Sequence, residues 1–417
     1  MVRTLRTLRP VSDPLGSYLR VGRLDHTFLA QMLVDGKAVS GLVADPAQAE
    51  QHRELWVEAH HQGVETVLDP RSLELSTPGG ILRGGAVDLA WAPEGLHTPD
   101  SLYGRAGEDL CDQLVDAVVS ASHTAVLAPT HYLASATDPW LDVDADLTHA
   151  LRSSLNGAGL REVPIYYPLI TKTENFYDPH WRDAIIASLS RLPIDAVWLR
   201  IHPFGTARSG PLALKRYLEA CRDLHRLGPP LVGEHTGAVG VGLMAFGALG
   251  GVESGITVID HTDLADWLRV PKKRGGGGGE ARVYLHNLGA FLDRSKADAL
   301  LSRPGMKSAH ACLDTSCCPR GWKDTQMRYR EHFVTQRERE VRALSSIPEP
   351  LRAGHYLESF LRPASDKAVR ASEAEPALMP VRKRLDSWRG TLGNDLVSNP
   401  THSFSPPAAG KRHRKSA

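Results

Sequence analysis

Asp195-Ala-Val-Trp-Leu-Arg-Ile-His202 and Pro230-Leu-Val-Gly-Glu-His235 decide the fold. Each is a short apolar run closed by charged or imidazole side chains. Between them, residues 212–227 carry apolar side chains at helical spacing. A buried strand, an amphipathic helix and another buried strand is the repeat of an α/β protein with a parallel sheet.

The repeat extends in both directions. Upstream, Val64-Glu-Thr-Val-Leu-Asp69, Thr124-Ala-Val-Leu-Ala-Pro129 and Val163-Pro-Ile-Tyr-Tyr-Pro-Leu-Ile170 read as strands. Leu110, Leu114, Val115 and Val118 form the stripe of a helix packed on a sheet. Downstream, Gly251-Val-Glu-Ser-Gly-Ile256, Arg282-Val-Tyr-Leu-His-Asn287 and Lys307-Ser-Ala-His-Ala-Cys312 read as the remaining strands. Eight units predict a (β/α)8 TIM-like barrel over residues 61–311, near the usual size of about 250 residues. An open doubly wound sheet shares the alternation. The count of eight, and the lack of a Gly-x-Gly-x-x-Gly turn after the first strand, favour the barrel.

Residues 1–60 then form an N-terminal addition packed on the barrel, with the short run Gly41-Leu-Val-Ala44 and a helix at 46–62. Residues 312–397 form a helical C-terminal subdomain. Residues 398–417, rich in Ser and Pro and ending Lys-Arg-His-Arg-Lys-Ser-Ala417, form a disordered basic tail. Lys272-Lys-Arg-Gly-Gly-Gly-Gly-Gly-Glu280 is a low-complexity loop.

Bulk properties exclude little. The 417 residues carry 49 basic and 48 acidic side chains, so global charge selects no partner. No apolar stretch approaches the roughly 20 residues that cross a bilayer, and no apolar segment follows the basic N-terminus. Membrane association is not expected. Five unevenly spread cysteines make a poor disulfide framework and suit a reducing cytoplasm.

In a barrel, the residues that close the strands share one face, and that face carries chemistry. It would collect Asp69 and Arg71, His131, Lys172, Arg200 and His202, Glu234 and His235, Glu253, then His286 and Asn287. Asp69, Glu234, Glu253 and Asp260 are the candidate catalytic carboxylates. Arg71, His131, Lys172, Arg200, His202, His235, His286 and Asn287 are candidate substrate ligands. Charge at the end of a buried strand needs a partner or a ligand. Arginine, lysine and histidine among carboxylates suit a polar or anionic substrate.

Cys312-Leu-Asp-Thr-Ser-Cys317-Cys318 is the densest chemical signal. Three thiolates and one imidazole fill the tetrahedral shell of a structural Zn2+. His332 closes the set, and His310 competes for the same position. Buried free thiols and a redox role for the vicinal Cys317-Cys318 pair are the other readings.

A barrel followed by a three-Cys, one-His cluster resembles the tRNA-guanine transglycosylase family and its DNA-acting relatives, over roughly residues 60–335. The spacing here is Cys-x4-Cys-Cys, and zinc ligation is the role carried over. The resemblance implies a zinc subdomain that helps shape a surface for DNA or RNA. It also implies an aspartate that attacks the ribose carbon during base exchange, for which Asp69 and Asp260 are placed. Two other functions stay open. One is a small-molecule hydrolase or lyase using the strand-end Glu and His residues. The other is a non-catalytic accessory protein.

Overall fold

A computed structural model describes residues 15–82, 85–257, 260–270 and 280–399. Eight parallel strands close into a barrel: β1 Gly16–Arg20, β2 Gly41–Ala44, β3 Glu65–Leu68, β4 Ala125–Leu127, β5 Ile165–Lys172, β6 Ala196–His202, β7 Leu231–Glu234 and β8 Gly251–Gly255. Neighbours pair in the order β1-β2-β3-β4-β5-β6-β7-β8. The ring closes where Gly16–Arg20 lies beside Gly251–Gly255.

The helices that follow the strands are α1 His26–Val34, α2 Arg53–His61, α3 Arg105–Ser120, α4 Trp140–Gly157, α5 Pro179–Leu189, α6 Pro211–Leu224, α7 Ala238–Ala245 and α8 Tyr329–Ser345. Apolar side chains fill the interior. Trp198 packs against Tyr18 and Tyr166 at centroid distances of 5.0 and 6.0 Å, above Val67, Leu127 and Val232. The barrel is therefore a packed core, as strands buried on both faces require.

The barrel has eight strands, but not the eight read from the sequence. The segment expected as an N-terminal addition supplies β1 and β2, so the barrel begins at Gly16 instead of residue 61. Arg282–Leu285 pairs antiparallel with Ala290–Asp293 as a separate hairpin. Met306–His310, which overlaps the expected last strand Lys307–Cys312, is a helix. The cause is local. Arg282–Leu285 has a second apolar run only a short turn away, so it pairs with that run. Lys307, Ser308 and Ala309 have little β-propensity. Gly16–Arg20 contains only two strongly apolar side chains, Tyr18 and Leu19, and carries too weak a pattern to be singled out.

Between β8 and α8 the described residues leave the barrel, and Cys312, Cys317 and Cys318 lie in this excursion. After α8, helices Glu349–Tyr356, Arg362–Ala374 and Met379–Ser398 pack on the outside, as expected for a helical C-terminal region. Arg222 of α6 holds Asp395 of the last helix at 2.6 Å. The expected tail and the Lys272–Gly279 loop fall largely outside the described residues. No helix among the described residues is long and apolar enough to cross a membrane.

Candidate active site and metal centre

Five side chains meet at the C-terminal mouth of the barrel. Arg20 closes β1, Asp69 follows β3, Arg200 is near the end of β6, Glu234 closes β7, and Glu253 is in β8. Arg20 donates from Nη1 to Asp69 Oδ2 at 2.6 Å, from Nε to Glu253 Oε1 at 3.0 Å, and from Nη2 to Glu234 Oε1 at 3.3 Å. Arg200 donates from Nε to Glu234 Oε1 at 2.7 Å and from Nη2 to Asp69 Oδ2 at 3.2 Å. The three carboxylates are buried, and Arg20 keeps 21% of its side chain exposed. Among these five side chains, three potential negative charges face two guanidinia, so the set is one positive charge short.

That imbalance separates the carboxyls. Burial alone would raise Asp69, but the guanidinia of Arg20 and Arg200 outweigh it and hold Asp69 well below the usual carboxylate range. Burial pushes the Glu253 carboxyl up to about 8, with Arg20 opposing and Glu234 reinforcing the shift. His235 Nδ1 lies 3.0 Å from Glu253 Oε2. Burial, aided by the two arginines, keeps its imidazole neutral. His235 has φ 50°, and Arg71 has φ 59°. Both are non-glycine residues in the left-handed region, where strain gathers at functional sites. Arg71 donates its backbone N–H to Asp69 Oδ1 at 2.9 Å and turns its guanidinium to Asp45 and Glu74.

A strap covers this mouth. Thr206 donates its backbone N–H to the Asp260 carbonyl at 3.0 Å. His261–Thr262 pairs antiparallel with Phe204–Gly205. Thr262 Oγ1 donates to the Glu234 carbonyl at 3.1 Å. Leu264 is buried against Leu73 and Ile170, beside the half-buried Trp267. Gly79 donates its N–H to the Trp267 carbonyl at 2.8 Å, and a Cβ at Gly79 would run into the Asp266 carbonyl.

The remaining candidates divide. His202 and Lys172 stand at the rim in register with each other, and His202 lies 5.6 Å from the Tyr132 ring. Asp260 belongs to the strap, bonded to His261 at 3.3 Å, outside the carboxylate set. His131 is fully buried behind the wall, held by Asp144 at 2.6 Å and stacked on Trp140 at 3.6 Å. His286 and Asn287 leave the mouth altogether. They follow the hairpin strand, and Asn287 donates to the Ala309 carbonyl at 2.7 Å. Arg20, the central cation, was missed by the sequence reading. Its signal, a charge closing a buried strand, is the one that found Arg200, but it lay in a segment assigned outside the barrel.

Cys312, Cys317, Cys318 and His332 converge on the flank of the barrel, with ligand atoms all within 4.8 Å of one another. Cys317 Sγ is 3.7 Å from Cys318 Sγ, and His332 Nδ1 is 3.4 and 3.5 Å from these two sulfurs. A tetrahedral zinc with its usual bond lengths needs edges of about 3.8 Å between sulfurs and about 3.6 Å from sulfur to nitrogen. The donor set therefore fits and can hold a metal ion. His332 Nε2 lies 3.0 Å from the Tyr284 carbonyl, a bond that requires the Nε2–H tautomer and leaves Nδ1 free to ligate. Gln336 donates to Cys312 Sγ at 3.5 Å, and Thr325 Oγ1 lies 3.3 Å from Cys318 Sγ. His310 is turned to Asn287 at 3.3 Å, outside the cluster. Glu234, His235 and Glu253 also bring ligand-type atoms together. Two guanidinia already occupy those carboxylates, which disfavours a divalent cation there.

No family model and no curated protein matches the chain. Among solved structures, a thermostable mutant of a xylanase from Cellvibrio japonicus is similar at 10% identity, covering 60% of this chain and 87% of that one, with a TM-score of 0.36. A type I 3-dehydroquinate dehydratase from Clostridium difficile is similar at 10% identity, covering 63% and 93%, with a TM-score of 0.38. An endo-β-1,4-mannanase from Thermotoga petrophila is similar at 10% identity, covering 59% and 68%, with a TM-score of 0.38. The barrel assignment rests on the closed strand order.

Proposed function

We propose that this chain is a zinc-stapled barrel enzyme that cleaves and re-forms a glycosidic bond to a nucleobase, acting on a nucleoside within DNA or RNA. The observation that carries the reading is the placing of Asp69 and Glu253 on one guanidinium, that of Arg20, inside a covered barrel mouth. Glycosyl transfer needs one ionised carboxylate and one carboxylic acid close together. Asp69 stays ionised beside two guanidinia and is the candidate nucleophile for the sugar carbon. Glu253 keeps its proton and is the candidate acid for the departing base nitrogen. In the first step the carbon–nitrogen bond breaks, a carbon–oxygen bond to Asp69 forms, and the proton passes from Glu253 to the leaving base. An incoming base nitrogen then displaces Asp69 and returns a proton to Glu253. Lys172, His202 and Tyr132, at the rim, are the candidate substrate contacts.

Zinc is the metal we assign to Cys312, Cys317, Cys318 and His332. Four protein ligands leave no open position, so the ion supplies structure, tying the segment around Cys312–Cys318 to α8. Thiols that must stay reduced suit a cytoplasmic protein.

The test has two arms. Purified protein is incubated with labelled free purines and either transfer RNA or DNA, and label retained in polymer is counted. Nucleosides from cells with and without the gene are compared by mass spectrometry. The expected result is label incorporation that Asp69→Asn abolishes. No incorporation together with an unchanged nucleoside profile would sink this reading. It would favour a small-molecule hydrolase or lyase built on Glu234, His235 and Glu253.

A further inference from the structure

His286 and Asn287, drawn away from the mouth, line a cleft of ≈ 410 Å³. It lies between α8 and the helices Glu349–Tyr356 and Arg362–Ala374. One wall is apolar: Val241, Leu344, and the stacked rings of Tyr356 and Phe360, whose centroids are 5.2 Å apart. The other end is polar. There, His286 Nδ1 is buried with no hydrogen-bond partner among the described residues. Lys367 lies about one turn after Pro363 and Ala364, on the same face of its helix, and makes no ion pair among the described residues.

The other charges in the cleft are already met. Arg339 is paired with Asp314 and donates to Ser316 Oγ at 2.6 Å. Glu340 accepts from the Tyr284 hydroxyl at 2.8 Å and faces Arg337 at 3.0 Å. One ammonium, beside an unpartnered imidazole nitrogen, is left at the end of an aromatic-walled cavity. A ligand-sized cavity with few polar groups converging at one end is the usual form of a small-molecule site.

We propose that this cleft binds a small amphipathic anion. Its phosphate or carboxylate head meets Lys367 and His286, and its aromatic or aliphatic body lies on Tyr356 and Phe360. The cleft is on the barrel's flank, so the inference is independent of the chemistry assigned to the mouth.

Phenyl phosphate is the probe, titrated calorimetrically into the full-length protein, with inorganic phosphate and phenol as its two halves. Phenyl phosphate is expected to bind at millimolar concentration or below, and each half about tenfold more weakly or worse. Lys367→Ala should weaken binding about three- to tenfold, and Ser359→Trp, at the exposed lip, should abolish it. Both positions are on the surface, and thermal melting by circular dichroism checks that each variant folds. Glu253→Gln should leave the affinity unchanged. The proposal is overturned by no binding of phenyl phosphate, by inorganic phosphate binding equally well, by undiminished binding to folded Ser359→Trp, or by loss of binding in Glu253→Gln.

Discussion

Arg20 Nη1 donates to Asp69 Oδ2 across 2.6 Å, joining the end of the first barrel strand to the loop after the third. The same guanidinium reaches Glu253 and Glu234. One side chain therefore links strands from opposite ends of the barrel sequence and neutralises much of the charge at the mouth.

Removing that cation should unbalance the whole set. Arg20→Met leaves three buried carboxylates facing one guanidinium, and should cost about 3–5 kcal/mol of stability at neutral pH. Arg20→Lys restores the charge but not the fork, and should recover only part of the loss. Urea unfolding of the three proteins checks this, and equal stabilities would refute it.

The mouth should give a two-sided pH dependence. Glu253 is raised in the folded state, so its contribution to stability is full below the ordinary carboxylate range and is lost as pH rises toward about 8. Asp69 is lowered in the folded state, so its contribution is present above the ordinary range and is lost as pH falls below it. Glu253→Gln should flatten the alkaline limb of a stability–pH curve and leave the acid limb in place. In the proposed reaction, activity should also fall as pH rises through about 8, because the acid loses its proton.

Metal analysis of freshly purified protein should find one zinc per chain. Cys317→Ser and His332→Ala should each lose most of it. Chelation should lower the melting midpoint by about 5–10 °C, because the ion closes the excursion onto α8. Metal-free wild-type protein with an unchanged midpoint would refute this.

The strap should be separable from the barrel. Leu264→Ala removes its buried anchor against Leu73 and Ile170, a truncation that costs about 2–4 kcal/mol at a well-packed site. Amide exchange should quicken at Thr206 and Gly79, whose N–H groups bond to strap carbonyls, and stay slow in β5 and β6. Uniform quickening across the barrel would mean that the strap is part of the global core.

Much of this could be read along the chain. Strands β3 to β8 announced themselves as short apolar runs ending in polar, Gly or Pro residues, and Asp69, Arg200, Glu234 and Glu253 stood out as charges in or just after them. Cys312, Cys317 and Cys318 stood out by residue type, because thiolates clustered near an imidazole are the soft ligand set that a tetrahedral zinc prefers. The barrel's origin was not legible. Gly16–Arg20 and Gly41–Ala44 are four or five residues long, and only burial on both faces makes them strands. His286 and Asn287 were misplaced because Arg282–Leu285 has an apolar pattern that a local hairpin satisfies as well as a barrel does.

Local pattern and residue chemistry, which the sequence carries alone, determined the α/β repeat, the charged strand ends and the thiol–imidazole set. Tertiary structure decided which runs close the ring. It also decided that Arg20 sits at the centre of the mouth, that residues 260–268 cover it, and that His332 rather than His310 faces the sulfurs. The physical reason is range. Periodicity and propensity act over a few residues, whereas barrel closure and a shared guanidinium pair groups from opposite ends of the chain, and only the packed fold brings those groups within bonding distance.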